Sequence, residues 1–395
     1  MPKLSVALLA AEPSGDLQAA AIARVLRRLH PDIELFGVGG LHMRNVGVEL
    51  LEDTSLWSSV GLFDAIPKIP EIRRRYYVLR DQIRDRRPTL TVFIDAPAIN
   101  MRMAKYLRAG GLRTAYYFPP SAWAKRDGRL AEIHSKVDAV IATFAHNAEG
   151  YRRAGLDIAF FGHPLIDLFA PLEADQARQQ LGLTGNRQVA IMPGSRVQEI
   201  THVLPVFLET ARRLRRYDPS LEFLLPVATP AIRPAVLKQV GKGFPGLHLL
   251  DGQAKQALAC SQLALICSGS ATLEAALLGT PMILCYRCNW FDYVFGKTLI
   301  KLGLIHVPRW GLPNLVLQED VIPELLQLDV TPGKLMGMAL DLLESGALRE
   351  RQLADLARVR ASLGEPGVVE KVGHFVSYFA QGMPLREASA QASSL

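Results

Sequence analysis

The chain alternates short apolar runs with stretches of helix length and amphipathic pattern, and it does so twice over. Runs at Leu4–Ala10, Ile33–Val38, Leu90–Ile94, Thr114–Phe118, Ala139–Ala142 and Ala159–Phe161 read as strands, because each is short and ends at a turn residue. After Gly162-His163-Pro164 the composition turns polar over Glu173–Asn186, and the alternation resumes with Val189–Met192, Leu221–Pro226, Leu247–Leu250, Leu263–Cys267 and Met282–Cys285. Apolar strands separated by helices mean a parallel sheet covered on both faces. The expected fold class is therefore α/β, with two facing Rossmann-like doubly wound domains and a cleft between them. Domains are expected at 1–170 and 171–365. A helix within 366–382, about Val368–Phe379, should return to the first domain, and the Ser/Ala/Gln tail 383–395 should be disordered.

Composition narrows the function. With 395 residues, 49% of them hydrophobic, the chain has material for two cores. Its net charge of +7 admits an anionic substrate or an anionic membrane surface. Nucleic acid is disfavoured, since no recognition motif accompanies the charge and Arg73-Arg74-Arg75, Arg212-Arg213 and Arg215-Arg216 read as solvated helix faces. No run reaches the length of a membrane span and the N-terminus lacks a cleavable signal, so a cytoplasmic location is expected. Cys260, Cys267, Cys285 and Cys288 offer neither a disulfide framework nor a second pair at metal spacing.

Ligands of open α/β sheets sit beyond the carboxyl ends of the strands. That rule selects Glu12, Ser14 and Asp16 after the first strand, with Ser14 or Asp16 capping a helix Leu17–Leu29, and Asp95, Ser121, His163, Arg196, Ser268 to Glu274 and Arg287 after others. At Pro193-Gly194-Ser195-Arg196 a strand meets a helix expected over Val197–Arg216, so outward N–H groups and a guanidinium can receive a phosphate; a plain turn with a surface arginine is the alternative. Ser268-Gly269-Ser270 offers a second such turn, and Glu274 one turn on either accepts ribose hydroxyls or pairs with the helix dipole. Asp95 precedes Ala96-Pro97, where proline should hold the loop extended; the carboxylate either caps a turn or serves as a base. No dinucleotide glycine fingerprint follows the first strand, which leaves a nucleotide-sugar site as the better fit.

Seven stretches carry a more specific signal: Glu12-Pro13-Ser14-Gly15-Asp16, Ile94-Asp95-Ala96-Pro97, Pro120-Ser121-Ala122-Trp123-Ala124, Phe161-Gly162-His163-Pro164, Pro193-Gly194-Ser195-Arg196, Ser268-Gly269-Ser270-Ala271-Thr272-Leu273-Glu274 and Leu312-Pro313-Asn314-Leu315. In order and separation they resemble the lipid-A-disaccharide synthases, over about Leu4 to Gln327. The resemblance implies a glycosyltransferase of the B-type fold that joins a UDP-linked diacylglucosamine to a diacylglucosamine 1-phosphate with inversion, without metal or cofactor. It implies Asp95 as the essential acid, Arg196 as the essential arginine and Glu274 on the ribose, with Gly194, Ser195, Ser268, Gly269, Ser270, Arg287 and Asn314 around the nucleotide. Glu12, Ser14, Asp16, Ser121, Trp123, Arg126 and His163 would stand on the acceptor side. Partners would be a UDP-sugar donor, an acylated sugar phosphate acceptor and an anionic membrane, and a homodimer is admissible.

This chain departs from the family at Ala11 and Pro13 in the first loop, at Ala98, where relatives commonly carry an acid or amide, and at Pro119 and Lys125, where serine and tryptophan are usual. The departures gather on the acceptor side. Inverting transfer needs a base on the acceptor hydroxyl and cations on the departing diphosphate, so Asp95 and Arg196, on different halves, would meet only on closure.

Overall fold

A computed structural model describes residues 3–53, 69–119, 127–169, 171–290, 293–294, 297–298 and 309–395. The chain divides into two compact units, Met1–Asp167 with Leu363–Leu395, and Leu168–Ser362.

The first unit is built on a seven-stranded sheet, every neighbouring pair parallel, in the order β3-β2-β1-β4-β5-β6-β7. The strands are β1 Ser5–Ala10, β2 Glu34–Gly39, β3 Glu49–Asp53, β4 Leu90–Ile94, β5 Thr114–Tyr117, β6 Ala139–Ala142 and β7 Ala159–Phe160. Alternation along β1 splits its side chains between two cores: Val6, Leu8 and Ala10 face one, Ala7 and Leu9 the other. Burying both faces is why these strands are uniformly apolar in sequence. β3 escaped the sequence reading because Glu-Leu-Leu-Glu-Asp at a sheet edge need not be apolar throughout.

The first helix runs Pro13–Leu29, starting at Pro13 rather than Leu17. Proline is tolerated in a first turn because its missing N–H would have no helical partner there. Neither Ser14 nor Asp16 caps it; Glu12 is the N-cap residue and makes no side-chain cap. Against this helix lies Val368–Ala380, close enough that a Cβ on Gly373 would fall 2.4 Å from Val25. His30 Nε2 and Ser377 Oγ meet at 2.6 Å across the pair.

The tail is a correction. Leu385–Ser393 forms a helix whose Ala388 and Ala392, one turn apart, are buried in the first core, and Arg386 pairs with Asp157 at 2.9 Å. Alanine, glutamate and glutamine favour helix, and two small apolar residues suffice to seat it, although average hydrophobicity hides them.

The second unit repeats the plan with six strands in the order β10-β9-β8-β11-β12-β13. These are β8 Gln188–Met192, β9 Glu222–Val227, β10 Leu247–Asp251, β11 Ser261–Cys267, β12 Met282–Tyr286 and β13 Glu324–Leu326. The polar stretch read as a boundary holds a helix of this unit, Ala174–Leu181, whose Ala177 packs with Leu224, Ala257 and Cys260. In both sheets the strand order reverses beside the first strand, at β1/β4 and at β8/β11. These are the switch points where open α/β sheets hold ligands.

Candidate active site

In the first unit the switch point is flanked by the turns after β1 and β4, whose ends are in register at Ala10 and Ile94. Gly15 lets the first helix start against both: a Cβ there would lie 3.3 Å from Ala10 and 3.5 Å from Ile94. Asp95 follows β4 directly. Its backbone and that of Ala96 are left-handed, at φ +52° and +46°, and Pro97 opens the helix Pro97–Ala109. The expected extended loop is therefore absent, and proline acts as a helix starter instead. Two consecutive non-glycine residues in this region store about 1–3 kcal/mol each. The Asp95 carbonyl accepts from Asn100 Nδ2 at 2.7 Å and from the Tyr116 hydroxyl at 2.6 Å, and the Asp95 N–H donates to Tyr117 O at 3.0 Å.

The other acceptor-side candidates divide. Glu12 is half-buried at the head of the first helix and Ser14 is exposed on it. Asp16 is spent on structure: buried, its carboxylate accepts from the N–H groups of Gly40, His42 and Met43 at 2.7, 2.9 and 3.1 Å and so caps the helix Leu41–Asn45. His163 is also buried, its ring between Phe118 and Phe144 and its Nδ1 accepting from Leu165 N at 3.2 Å. Burial pushes its pKa down to about 3, so the ring is neutral at physiological pH. Ser121, Trp123, Arg126 and Lys125 lie outside the described residues.

In the second unit the turn after β8 differs from expectation. Gly194 is left-handed at φ +105°, and the helix that follows runs Val197–Tyr217. The N–H groups of Ser195 and Arg196 donate to Glu199 Oε2 at 2.8 and 3.2 Å, rather than standing open for a phosphate. A Cβ on Gly194 would collide with this carboxylate, at 2.1 Å. Glu199 thus occupies the positive end of the helix, and the exposed Arg196 guanidinium lies 3.8 Å from its carboxylate.

Beside this turn, on the strand paired with β8, β11 ends at Cys267 and leads through Ser268, Gly269 and Ser270 into the helix Ala271–Leu277. Glu274 is half-buried there; burial drives its pKa up to about 7, against the opposing effect of a hydrogen bond from Ser270. Ser268 Oγ donates to Trp310 O at 3.1 Å, and the Trp310 ring stacks on Tyr286 at 4.9 Å. Trp310 N and Gly311 N donate to Glu324 at 3.0 and 2.8 Å. Asn314 is buried in a network of its own: Oδ1 accepts from Val321 N and Ile322 N, and Nδ2 donates to Ile322 O and Glu324. All four hydrogen-bonding capacities of the amide are used inside its own loop, so Asn314 braces Glu324, which in turn accepts from Trp310 N and Gly311 N. Arg287 is exposed at the end of β12.

A family model described as lipid-A-disaccharide synthetase matches residues 6–376. The chain belongs to the lipid-A-disaccharide synthetase family. It is accordingly a glycosyltransferase. Relatives named lipid-A-disaccharide synthase include that of Anaeromyxobacter sp. (strain K), 36% identical over 95% of this chain and 98% of that protein. Those of Geobacter sulfurreducens, 35% over 94% and 96%, and Xanthomonas campestris pv. campestris (strain 8004), 34% over 98% and 90%, are similar. In fold, the chain is similar to the UDP-GlcNAc 2-epimerase of Neisseria meningitidis bound to UDP-GlcNAc, with TM-score 0.61 at 11% identity and coverage of 96% and 100%. The calicheamicin glycosyltransferase CalG4 gives 0.58 at 14%, with coverage of 97% and 100%.

In this member of the lipid-A-disaccharide synthetase family, sequence reasoning missed Asn100, Tyr116, Glu199 and Glu324. Glu199 had a signal, a carboxylate three residues into a helix after a short polar turn, the spacing of a capping box. Among the described residues no helix is long and apolar enough to cross a membrane.

Proposed function

We propose that the chain joins UDP-2,3-diacylglucosamine to 2,3-diacylglucosamine 1-phosphate through a β-1,6 link and releases UDP. Asp95 removes the proton of the acceptor 6-hydroxyl, whose oxygen attacks the donor C1 from the face opposite UDP. The C1–O bond to the β-phosphate breaks, its electron pair leaves with UDP, and the configuration inverts. Arg196 meets the charge that grows on the departing diphosphate, worth most in the transition state. Glu274 accepts the ribose hydroxyls, with Ser268, Gly269, Ser270 and Arg287 beside the nucleotide; Glu12 and Ser14 flank the acceptor.

The observation that carries this reading is Asp95 itself. A carboxylate at the carboxyl end of β4, beside the switch point, is held on a strained backbone by two buried donors. Mass spectrometry of products formed from the two acylated substrates tests the reaction, and release of UDP without any acceptor would favour an epimerase or hydrolase in its place.

We further propose that the chain works as a peripheral protein on the inner face of the cytoplasmic membrane. The helix Ile69–Arg86 exposes Ile72, Tyr77 and Val78 with Arg73 and Arg74, a basic and apolar surface suited to anionic lipid. Arg75 is engaged with Glu52 and Glu71 at 2.8 and 2.7 Å, which leaves Arg73 and Arg74 the stronger contributors. Trp57, Leu62, Phe63 and Ile66, which precede this helix in the sequence, lie outside the described residues.

A further inference from the structure

We infer that Asn100 and Tyr116 are positioning residues for the transfer reaction, two buried donors that clamp the Asp95 peptide and thereby aim its carboxylate. This rests on Asp95 acting as the base. Asp95 and Ala96 are left-handed in succession, neither is glycine, and Ala96 precedes proline, which further restricts its backbone. A conformation of this kind persists only where its surroundings over-determine it.

The surroundings come from two elements. Asn100 sits on the helix that Pro97 opens, and its Nδ2 reaches Asp95 O at 2.7 Å and Ile94 O at 3.3 Å. Tyr116 sits on β5, the neighbouring strand, and its hydroxyl donates to the same Asp95 oxygen at 2.6 Å. Tyr117 O, one residue on, accepts the Asp95 N–H at 3.0 Å. A carbonyl oxygen has two acceptor sites, and here both are filled from elements that cannot move independently of the sheet. The peptide planes on both sides of the Asp95 Cα are therefore fixed, and with them the direction of its Cα–Cβ bond. Asn100 is 3% exposed and Tyr116 0%, so both donors work without competition from water. Burial also pushes the Tyr116 hydroxyl pKa well up, with the neighbouring Asp95 adding to the effect, which keeps the hydroxyl protonated as a donor. Neither residue touches the substrates; each acts through Asp95.

The test compares Tyr116→Phe, Asn100→Ala and Asp95→Asn, singly and as doubles with Asp95→Asn, for turnover, UDP affinity and melting temperature. Tyr116→Phe and Asn100→Ala should each lower kcat by about 10- to 100-fold, the usual consequence of a misplaced catalytic group, with UDP affinity within about twofold of wild type. In the Asp95→Asn background neither should lower the residual rate further, because a positioning residue has nothing left to position. Equal losses in both backgrounds would overturn the inference, since the two residues would then act on the fold at large. Singles that keep more than about half the wild-type rate, while Asp95→Asn loses about 100-fold, would also overturn it and leave Asp95 as the base. Full activity of Asp95→Asn would instead remove the reading on which the inference stands. Tyr116→Phe retains the buried ring, so it carries the test if Asn100→Ala does not fold.

Discussion

Replacing Glu274 by glutamine should stabilise the protein and weaken its nucleotide binding, and the two effects should separate by pH. Burial raises this carboxyl from an ordinary 4.5 to about 7. Between those values the folded state holds a proton that the unfolded chain releases, so stability falls as pH rises through the window. The penalty is absent below about pH 4.5 and complete above about pH 7; at about 1.4 kcal/mol per unit it reaches roughly 3 kcal/mol. Glutamine carries no charge and can still accept from Ser270. Glu274→Gln should therefore raise the melting temperature by roughly 5–10 °C at pH 8 and by less than about 2 °C at pH 4.5, for a unit of this size. Calorimetry without ligand at the two pH values reads this directly. UDP affinity at pH 8 should fall by about 5- to 15-fold, the difference between a charged and a neutral acceptor on the ribose. An unchanged or lowered melting temperature at pH 8, or a gain independent of pH, would refute the buried-charge argument.

Arg196→Ala should weaken UDP by roughly 1.5–3 kcal/mol in calorimetric titration, as loss of a charged phosphate contact does; unchanged affinity would remove the turn after β8 from the donor site. Glu199→Gln should lower the melting temperature by about 2–4 °C through a weaker helix cap, yet raise UDP affinity a few-fold by removing an anion beside Arg196. A large fall in affinity would instead make Glu199 a required contact. Arg73→Ala/Arg74→Ala/Arg75→Ala should sediment less with anionic vesicles than wild type; equal binding would end the membrane proposal.

The fold was legible because strands buried on both faces must be apolar throughout, so β1, β4, β8 and β11 stand out as runs in the sequence. β3 and β13, at sheet edges and only partly apolar, do not. Candidate site residues were legible only as types at strand ends, where the rule of carboxyl ends selects Asp95, Arg196 and Glu274. What each side chain bonds to was not. The partners of Asp16 and Asn314, the N–H groups at 40–43 and the loop 321–324, are fixed only by the folded chain. The left-handed backbone of Asp95 was misread for a physical reason: proline after Ala96 argues for an extended loop, and the tertiary clamp of Asn100 and Tyr116 overrides that local preference.

Removal of the acceptor proton by Asp95 in a sugar transfer from UDP is the step proposed above. Wild-type and Asp95→Asn protein, incubated with UDP-2,3-diacylglucosamine and 2,3-diacylglucosamine 1-phosphate and followed by mass spectrometry, test it together. The wild type is expected to give a tetra-acylated disaccharide 1-phosphate and one UDP per disaccharide, and Asp95→Asn at least about a 100-fold slower yield at unchanged UDP affinity. No disaccharide from the wild type, or a variant turning over at more than about a third of its rate, would contradict it.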